Sequence, residues 1–186
     1  MGYMHDTLYY MELDPLFRKD NHGAIVFSMD YAYSENYIMP YSHDEVVHGK
    51  GSMINKMYGS YEEKFAGLRA LYGFTYAHPG KKLLFMGGEF AQFVEWRDKE
   101  QLDWFLIDDF EMHHSFHDYV AKLNEIYKNE PALYELDQDP AGFEWCLQRD
   151  ADHSVVAFIR KGKKKRGKKQ EQILCICNFT PMERDN

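Results

Sequence analysis

The sequence predicts an α/β fold that gives way to an all-β fold towards the end of the chain. Short apolar strands alternate with longer amphipathic helices in the first part, which is typical of a parallel sheet or barrel. After residue 136 only strand patterns separated by turn residues remain. We therefore predict two domains, residues 1–133 and residues 134–186.

Two helices carry the clearest signals. Ser60 and Glu63 have the S-x-x-E spacing of a capping box, in which each side chain bonds a backbone N–H at the helix start. Apolar residues then recur at i, i+3 and i+4, and a Pro-Gly pair ends the pattern, so we predict a helix over 61–78. A similar apolar face predicts a helix over 116–127.

The shorter elements of the first part follow from local patterns. Helical spacing predicts a helix over 6–13, which Pro15 ends. Residues 25–33 fit a helix or a strand, and we favour a helix because only two of them are β-branched. Apolar runs predict one strand over 37–41 and a buried strand over 82–86.

The last part of the chain predicts three strands, over 142–148, 154–160 and 172–179. Cys175 and Cys177 share one face of the third strand, and we interpret them as buried thiols of a reducing cytosol because a metal site would need further ligands. The sequence contains no signal peptide and no apolar stretch long enough to span a bilayer. We therefore expect a cytoplasmic protein without a membrane partner.

Charge argues against a nucleic-acid partner. The net charge of −8 disfavours general affinity for anionic polymers or membranes. Seven of the nine residues in 161–169 are basic, but the run contains no aromatic residue and lies between two predicted strands. We predict a solvated hairpin tip, with nucleic-acid binding as the less favoured alternative.

The strongest functional signal is the run from Pro40 to Lys50, which places His43, Asp44, Glu45 and His48 directly after a predicted strand. Polar residues at the carboxyl end of a barrel strand are typical of an active site. A carboxylate beside an imidazole can bond sugar hydroxyls, and such bonds strengthen as positive charge develops at the anomeric carbon. A polar loop with a capping side chain is the simpler alternative.

Other candidates carry weaker signals. His5 and Asp6 could line a ligand cleft, although a helix start capped by Asp6 is the favoured interpretation. Glu89 follows the predicted strand 82–86 and would face the barrel mouth. Trp96 and Trp104 could stack on sugars or cover the last helix. Three histidines (His113, His114 and His117) lack the H-E-x-x-H pattern, so no metal site and no cofactor is predicted.

Several stretches resemble the 1,4-α-glucan (glycogen) branching enzymes of the α-amylase superfamily. They include SHDEVVHGK at 42–50 and KKLLFMGGEF at 81–90, and the similarity runs along nearly the whole chain. The remaining stretches are residues 2–8, 135–137, 142–145 and 178–181.

The resemblance implies the C-terminal part of a (β/α)8 TIM barrel followed by the start of a β-sandwich. It also implies an α-glucan substrate and a retaining double displacement that forms α-1,6 branches. Asp44 would hold hydroxyls of the sugar at the cleavage point and stabilise the transition state, with His43 in the same subsite. His5, Asp6, Glu45, His48 and Glu89 are the candidate substrate-binding residues.

The resemblance also places the nucleophilic Asp and the acid/base Glu upstream of Met1, and neither motif is found in this chain. We therefore expect the isolated chain to be inactive, with exposed strand edges that favour self-association. Two alternatives stay open. One is an α-glucan hydrolase or debranching enzyme of the same superfamily, and the other is a non-catalytic glucan-binding module.

Overall fold

The structure, a computed structural model, describes residues 2–34, 38–47 and 49–184. Within these residues the α-helices span Gly2–Glu12 (α1), Pro15–Arg18 (α2), Gly23–Val26 (α3), Tyr61–Ala77 (α4), Phe105–Asp109 (α5) and Glu111–Asn129 (α6). The strands span Ile38–Tyr41 (β1), Lys81–Leu84 (β2), Phe143–Asp150 (β3), Val155–Lys161 (β4) and Gln172–Asn178 (β5). The chain is α/β, as the sequence predicted.

The strands form two separate sheets of different kinds. β1 and β2 pair in parallel, with Ile38 opposite Lys81 and Tyr41 opposite Leu84. A parallel pair needs a long crossover, and helix α4 lies in the connection between them. The second sheet is antiparallel in the order β3-β4-β5. The predicted change from βα alternation to consecutive strands is thus present.

Helix α4 matches its prediction to within one residue. The Ser60 Oγ accepts a hydrogen bond from the Glu63 N–H at 3.4 Å, and Glu63 Oε2 accepts one from the Ser60 N–H at 2.7 Å. The predicted capping box is therefore confirmed. One face of the helix is buried, and its buried residues are Phe65, Leu68, Leu71, Tyr72, Phe74, Thr75 and Tyr76.

Other helices differ from their predictions at the ends. α1 begins at Gly2, so Asp6 lies in its second turn and the capping role is wrong. α6 begins at Glu111, five residues before the predicted start. The apolar pattern missed its first turn because the buried side chain there is polar, His113. Residues 25–33 contain short helical turns instead of one continuous helix.

The prediction that the second strand is buried is wrong. In β2, Lys81 and Leu83 are exposed, and Lys82 and Leu84 are partly exposed. Among the described residues β2 pairs only with β1, so its second edge lacks a neighbouring strand. Lys82 Nζ donates to the Gly80 carbonyl at 2.7 Å and lies 5.4 Å from the centre of the Tyr127 ring. Desolvation lowers the pKa of Lys82.

The second sheet shares one hydrophobic core with the helices. Phe74 of α4 contacts Phe158 of β4 and Phe179, with ring centres 6.1 and 5.6 Å apart. Tyr10 of α1 meets the same Phe179 edge to face at 5.5 Å. The sheet is therefore packed on α1 and α4, and the boundary at 134–138 stays a prediction.

The basic run lies where the sequence placed it, at the tip of the β4–β5 hairpin. Part of the tip contacts acidic groups, because the Lys163 N–H donates to Glu135 Oε2 at 2.8 Å and Lys165 Nζ lies 3.7 Å from Glu135 Oε1. On β5 the two cysteines are partly buried, which raises the pKa of Cys175 to about 11 and that of Cys177 to about 12. No helix in the described ranges is long and apolar enough to cross a membrane.

A buried ion pair joins three elements. Arg160 of β4 is fully buried, and its Nη2 donates to Asp137 Oδ1 at 2.7 Å and to the Leu133 carbonyl at 3.1 Å. Its Nη1 donates to the carbonyl of Ala77, the last residue of α4, at 2.6 Å. Asp137 also lies 3.3 Å from Lys81 Nζ of β2. The pair therefore connects α4, β4 and the segment before β3.

We expect Asp137→Ala to lower the free energy of unfolding by about 3–5 kcal/mol, because it leaves the Arg160 charge buried without its carboxylate. Glu125→Ala is the matched control, since Glu125 forms an exposed pair with Lys122 at 2.8 Å and its loss should cost less than about 1 kcal/mol. Urea denaturation of both variants measures the difference. Equal losses would contradict the prediction.

His78, at the end of α4, is buried in a fixed neutral state. The Pro79 carbonyl can only accept, so His78 Nδ1–H donates to it at 2.9 Å. Nε2 then accepts from the Ser28 hydroxyl at 2.9 Å. Desolvation by burial lowers the pKa of His78 to about 3 from an ordinary value of 6.5.

This shift predicts a pH dependence of stability. Between pH 6.5 and about 3 the unfolded chain binds a proton at His78 that the folded chain does not bind. Stability is therefore retained above pH 6.5 and falls by up to about 1.4 kcal/mol per pH unit below it. We expect His78→Gln to show a shallower loss than the parent between pH 6.5 and 4.5 in urea titrations. Asn129→Gln, at an exposed amide that carries no titratable proton, should keep the parent slope.

Candidate functional site

The strand that leads into the site is anchored by a buried cluster of hydroxyl groups. The Tyr41 hydroxyl at the end of β1 lies 3.0 Å from Thr7 Oγ1 of α1 and 3.3 Å from Thr75 Oγ1 of α4. The Tyr3 hydroxyl lies 2.8 Å from the same Thr75 oxygen. Burial raises the pKa of Tyr41, so its hydroxyl keeps its proton for this network. The network holds β1 against both helices.

His43 and Asp44 lie in a short 3₁₀ turn, His43–Glu45, directly after β1. The Val46 N–H donates to the His43 carbonyl at 2.9 Å and closes the turn. His43 Nε2 and Asp44 Oδ1 are 3.3 Å apart, and the two side chains are 56% and 70% exposed. The carboxylate and imidazole are therefore adjacent and exposed. They follow the strand directly, as the sequence predicted, and their contact with a sugar stays a prediction.

The motif contains two further candidates, Glu45 and His48. Glu45 is buried, with 9% of its surface exposed, so a ligand would reach it less easily than Asp44. Its predicted contact with substrate stays a prediction. His48 lies outside the described residues.

A narrow cleft separates the segment after β1 from the segment after β2. Phe85, the first residue after β2, lines the cleft, and the centre of its ring lies 5.8 Å from that of His43 and 5.2 Å from that of Trp96. The cleft has a volume of about 20 Å³, which suits one or two water molecules and excludes a sugar ring. A sugar would therefore have to meet His43 and Asp44 from the solvent side. Trp96 lines this cleft, and its contact with a sugar or with the last helix stays a prediction.

A contact that closes the loop after Asp44 was not predicted. Glu95 Oε2 accepts hydrogen bonds from the Gly49 N–H at 2.8 Å and the Gly51 N–H at 3.2 Å. The neighbouring Trp96 N–H donates to the Val46 carbonyl at 2.7 Å. Backbone donors carry no side-chain signature, and the partners are 44 and 46 residues apart, so no local pattern could have predicted the contact.

The remaining candidates lie apart from the turn. His5 is exposed and Asp6 partly buried on α1, and no hydrogen bond or ion pair of the described residues joins either of them to His43 or Asp44. Glu89 lines a different groove, of about 550 Å³, beside Lys82. The structure thus brings His43 and Asp44 together and leaves His5, Asp6 and Glu89 as separate predictions.

The aromatic and histidine candidates differ in their exposure. Trp104 is half exposed and lies 5.2 Å from the Phe90 ring. His113 Nδ1 donates to the Phe90 carbonyl at 2.8 Å, and burial lowers its pKa. His114 lies 3.6 Å from Asp118. In the ranges that the structure describes, no group of three His, Cys, Asp or Glu residues could hold a metal ion.

Comparison with known proteins identifies relatives along the whole chain. No family model matches it. The chain is 56% identical over 180 residues to the 1,4-alpha-glucan branching enzyme GlgB of Geobacillus stearothermophilus, and this alignment covers 97% of the chain. It is 55% identical over 186 residues to the protein of that name from Bacillus caldolyticus and 54% over 184 residues to that of Aquifex aeolicus, which is 100% and 99% of the chain. The chain belongs to the 1,4-alpha-glucan branching enzyme family.

The match covers only part of each relative. The chain spans 27% of the Geobacillus and Bacillus caldolyticus proteins and 28% of the Aquifex protein. The identities of 54–56% over nearly the whole chain confirm the resemblance that the sequence motifs indicated. Because the chain spans about a quarter of each relative, the activity in their name is only a proposal for this chain.

Proposed function

We propose that this chain supplies the transition-state-stabilising part of a 1,4-α-glucan branching site. Asp44 binds hydroxyls of the glucosyl unit at the cleavage point, and His43 binds the same unit. The observation that carries the proposal is the exposed His43–Asp44 pair at the carboxyl end of a parallel strand, in a chain related to branching enzymes. Bonds to sugar hydroxyls that strengthen as positive charge develops accelerate glycosyl transfer.

The reaction would be a retaining double displacement. A carboxylate outside this chain attacks the anomeric carbon, an acid protonates the leaving oxygen of the α-1,4 bond, and a glycosyl-enzyme forms. The 6-hydroxyl of another glucan then displaces the carboxylate and loses its proton to the same acid/base residue. Because neither group was identified in this chain, the isolated chain should not branch amylose.

We also propose the domain division that the sequence predicted. Residues 1–133 would form the C-terminal part of a (β/α)8 barrel and residues 134–186 the start of a β-sandwich. Support comes from the parallel pairing of β1 with β2 across helix α4 and from the antiparallel order β3-β4-β5. On the second sheet Leu174 and Ile176 are 57% and 65% exposed, an apolar surface that a second sheet would cover.

A chimera tests the function. This chain replaces the matching 180 residues of the Geobacillus stearothermophilus relative, and amylose is followed by iodine colour and reducing ends together. We expect the iodine colour to fall without new reducing ends. Asp44→Asn in the chimera should slow this reaction by about 100-fold or more, because it removes the charge that stabilises the transition state. The melting temperature should be unchanged, since Asp44 is exposed.

The control is Asp98→Asn, at an exposed carboxylate in the segment after β2, which should leave the rate unchanged. A folded chimera without activity would contradict the proposal, as would an Asp44→Asn chimera at the parent rate. A rise in reducing ends would indicate hydrolysis and favour the alternative of an α-glucan hydrolase. The isolated chain, assayed in parallel, should change neither signal.

A further inference from the structure

The loop after Asp44 contains a turn of two glycines, Gly49 and Gly51, around Lys50. Both glycines have positive φ angles, 81° and 75°. A Cβ on Gly49 would meet nothing within 4 Å, so backbone conformation and not lack of space favours glycine there. This conformation directs the two N–H groups at one acceptor, Glu95 Oε2.

The same short segment that carries Glu95 bonds the loop at two further points. Trp96 N–H donates to the Val46 carbonyl at 2.7 Å, one residue beyond the turn that carries Asp44. At the other end of the loop Asn55 Nδ2 donates to the Phe93 carbonyl at 2.8 Å. Residues 93–96 therefore fasten the loop at its start, its middle and its end. Glu95 is the only side chain among these three contacts that brings a charge.

The chemistry of this contact distinguishes Glu95 from an ordinary surface glutamate. A carboxylate that accepts two backbone N–H groups forms charge-assisted bonds, which are stronger than bonds to a neutral acceptor. Glutamine at this position would keep an oxygen acceptor without the charge, whereas alanine would remove the acceptor. The two substitutions therefore separate loss of charge from loss of the contact.

We propose that Glu95 is a positioning residue that holds the loop of His43 and Asp44 in the shape that binds glucan hydroxyls. The inference rests on the proposed function, because the turn must have a glucan to bind. Site residues need to be held within about 0.5 Å of their productive geometry. His43 and Asp44 are themselves largely exposed, so the backbone of their loop has to supply that order.

The test uses the 186-residue chain with maltoheptaose as the probe. Hydrogen exchange at the Gly49 and Gly51 amides reports the contact, and NMR titration reports glucan affinity. We expect Glu95→Ala to speed both exchange rates by about tenfold and to weaken affinity several-fold, because a charged hydrogen-bond acceptor is lost. Glu95→Gln should recover part of both. Glu100→Ala, an exposed glutamate 3.0 Å from Arg97 on the same segment, should change neither.

Each outcome decides the matter. Unchanged exchange in Glu95→Ala would overturn the proposal, and so would faster exchange with unchanged affinity, which would make the contact merely structural. Asp44→Asn in the same titration tests the proposed function by itself. If the unsubstituted chain binds no maltoheptaose, the positioning role is overturned, whereas the proposed function is decided separately by the activity of the chimera and of its Asp44→Asn variant. Retained affinity in Glu95→Ala together with lost affinity in Asp44→Asn would overturn the positioning role alone.

Discussion

The parallel pairing of β1 with β2 is the constraint on which the site depends. Parallel strands end at the same edge of a sheet, so the segments that follow Tyr41 and Leu84 leave side by side. The ladder continues one step further, because the Phe85 N–H donates to the Tyr41 carbonyl at 2.9 Å. Phe85 thereby comes to lie against His43, and residues 93–96 reach the loop after Asp44. An antiparallel pair would have sent these two segments to opposite ends.

The parallel pair is in turn held by buried polar groups beneath it. The hydroxyls of Tyr3, Thr7, Tyr41 and Thr75 satisfy one another in the core, where an unpaired hydroxyl would cost free energy. Such a network is more specific than apolar packing, because a shift of the strand by one residue would break several bonds at once. At the start of β2, Lys81 Nζ lies 3.3 Å from Asp137, whose carboxylate also pairs with Arg160, and Arg160 bonds the end of α4.

How much the sequence could predict follows from how local each signal is. Helix α4 was predicted within one residue because its capping box and apolar face lie within its own sequence. The start of α6 was missed because the buried side chain there is polar, and His113 is satisfied by the distant Phe90 carbonyl. The exposure of β2 depends on the strands that flank it, which no local pattern reports. The position of His43 and Asp44 at a strand end was predictable because the strand and the polar turn are consecutive, whereas Glu95 bonds backbone groups far away in sequence.

The exposure of Asp44 and His43 has a consequence for how the site is ordered. A contact between two exposed polar side chains contributes at most about 1 kcal/mol to stability, so the 3.3 Å contact between His43 and Asp44 cannot fix them. Their orientation must then come from the backbone, through the turn bond at His43 and the contacts at Val46, Gly49 and Gly51. The side chains proposed to face a glucan are exposed, whereas the contacts that order their loop involve backbone groups and the Glu95 carboxylate. The exposed carboxylate of the proposed site can therefore stay in water while contacts further along its loop and at residues 93–96 set its position.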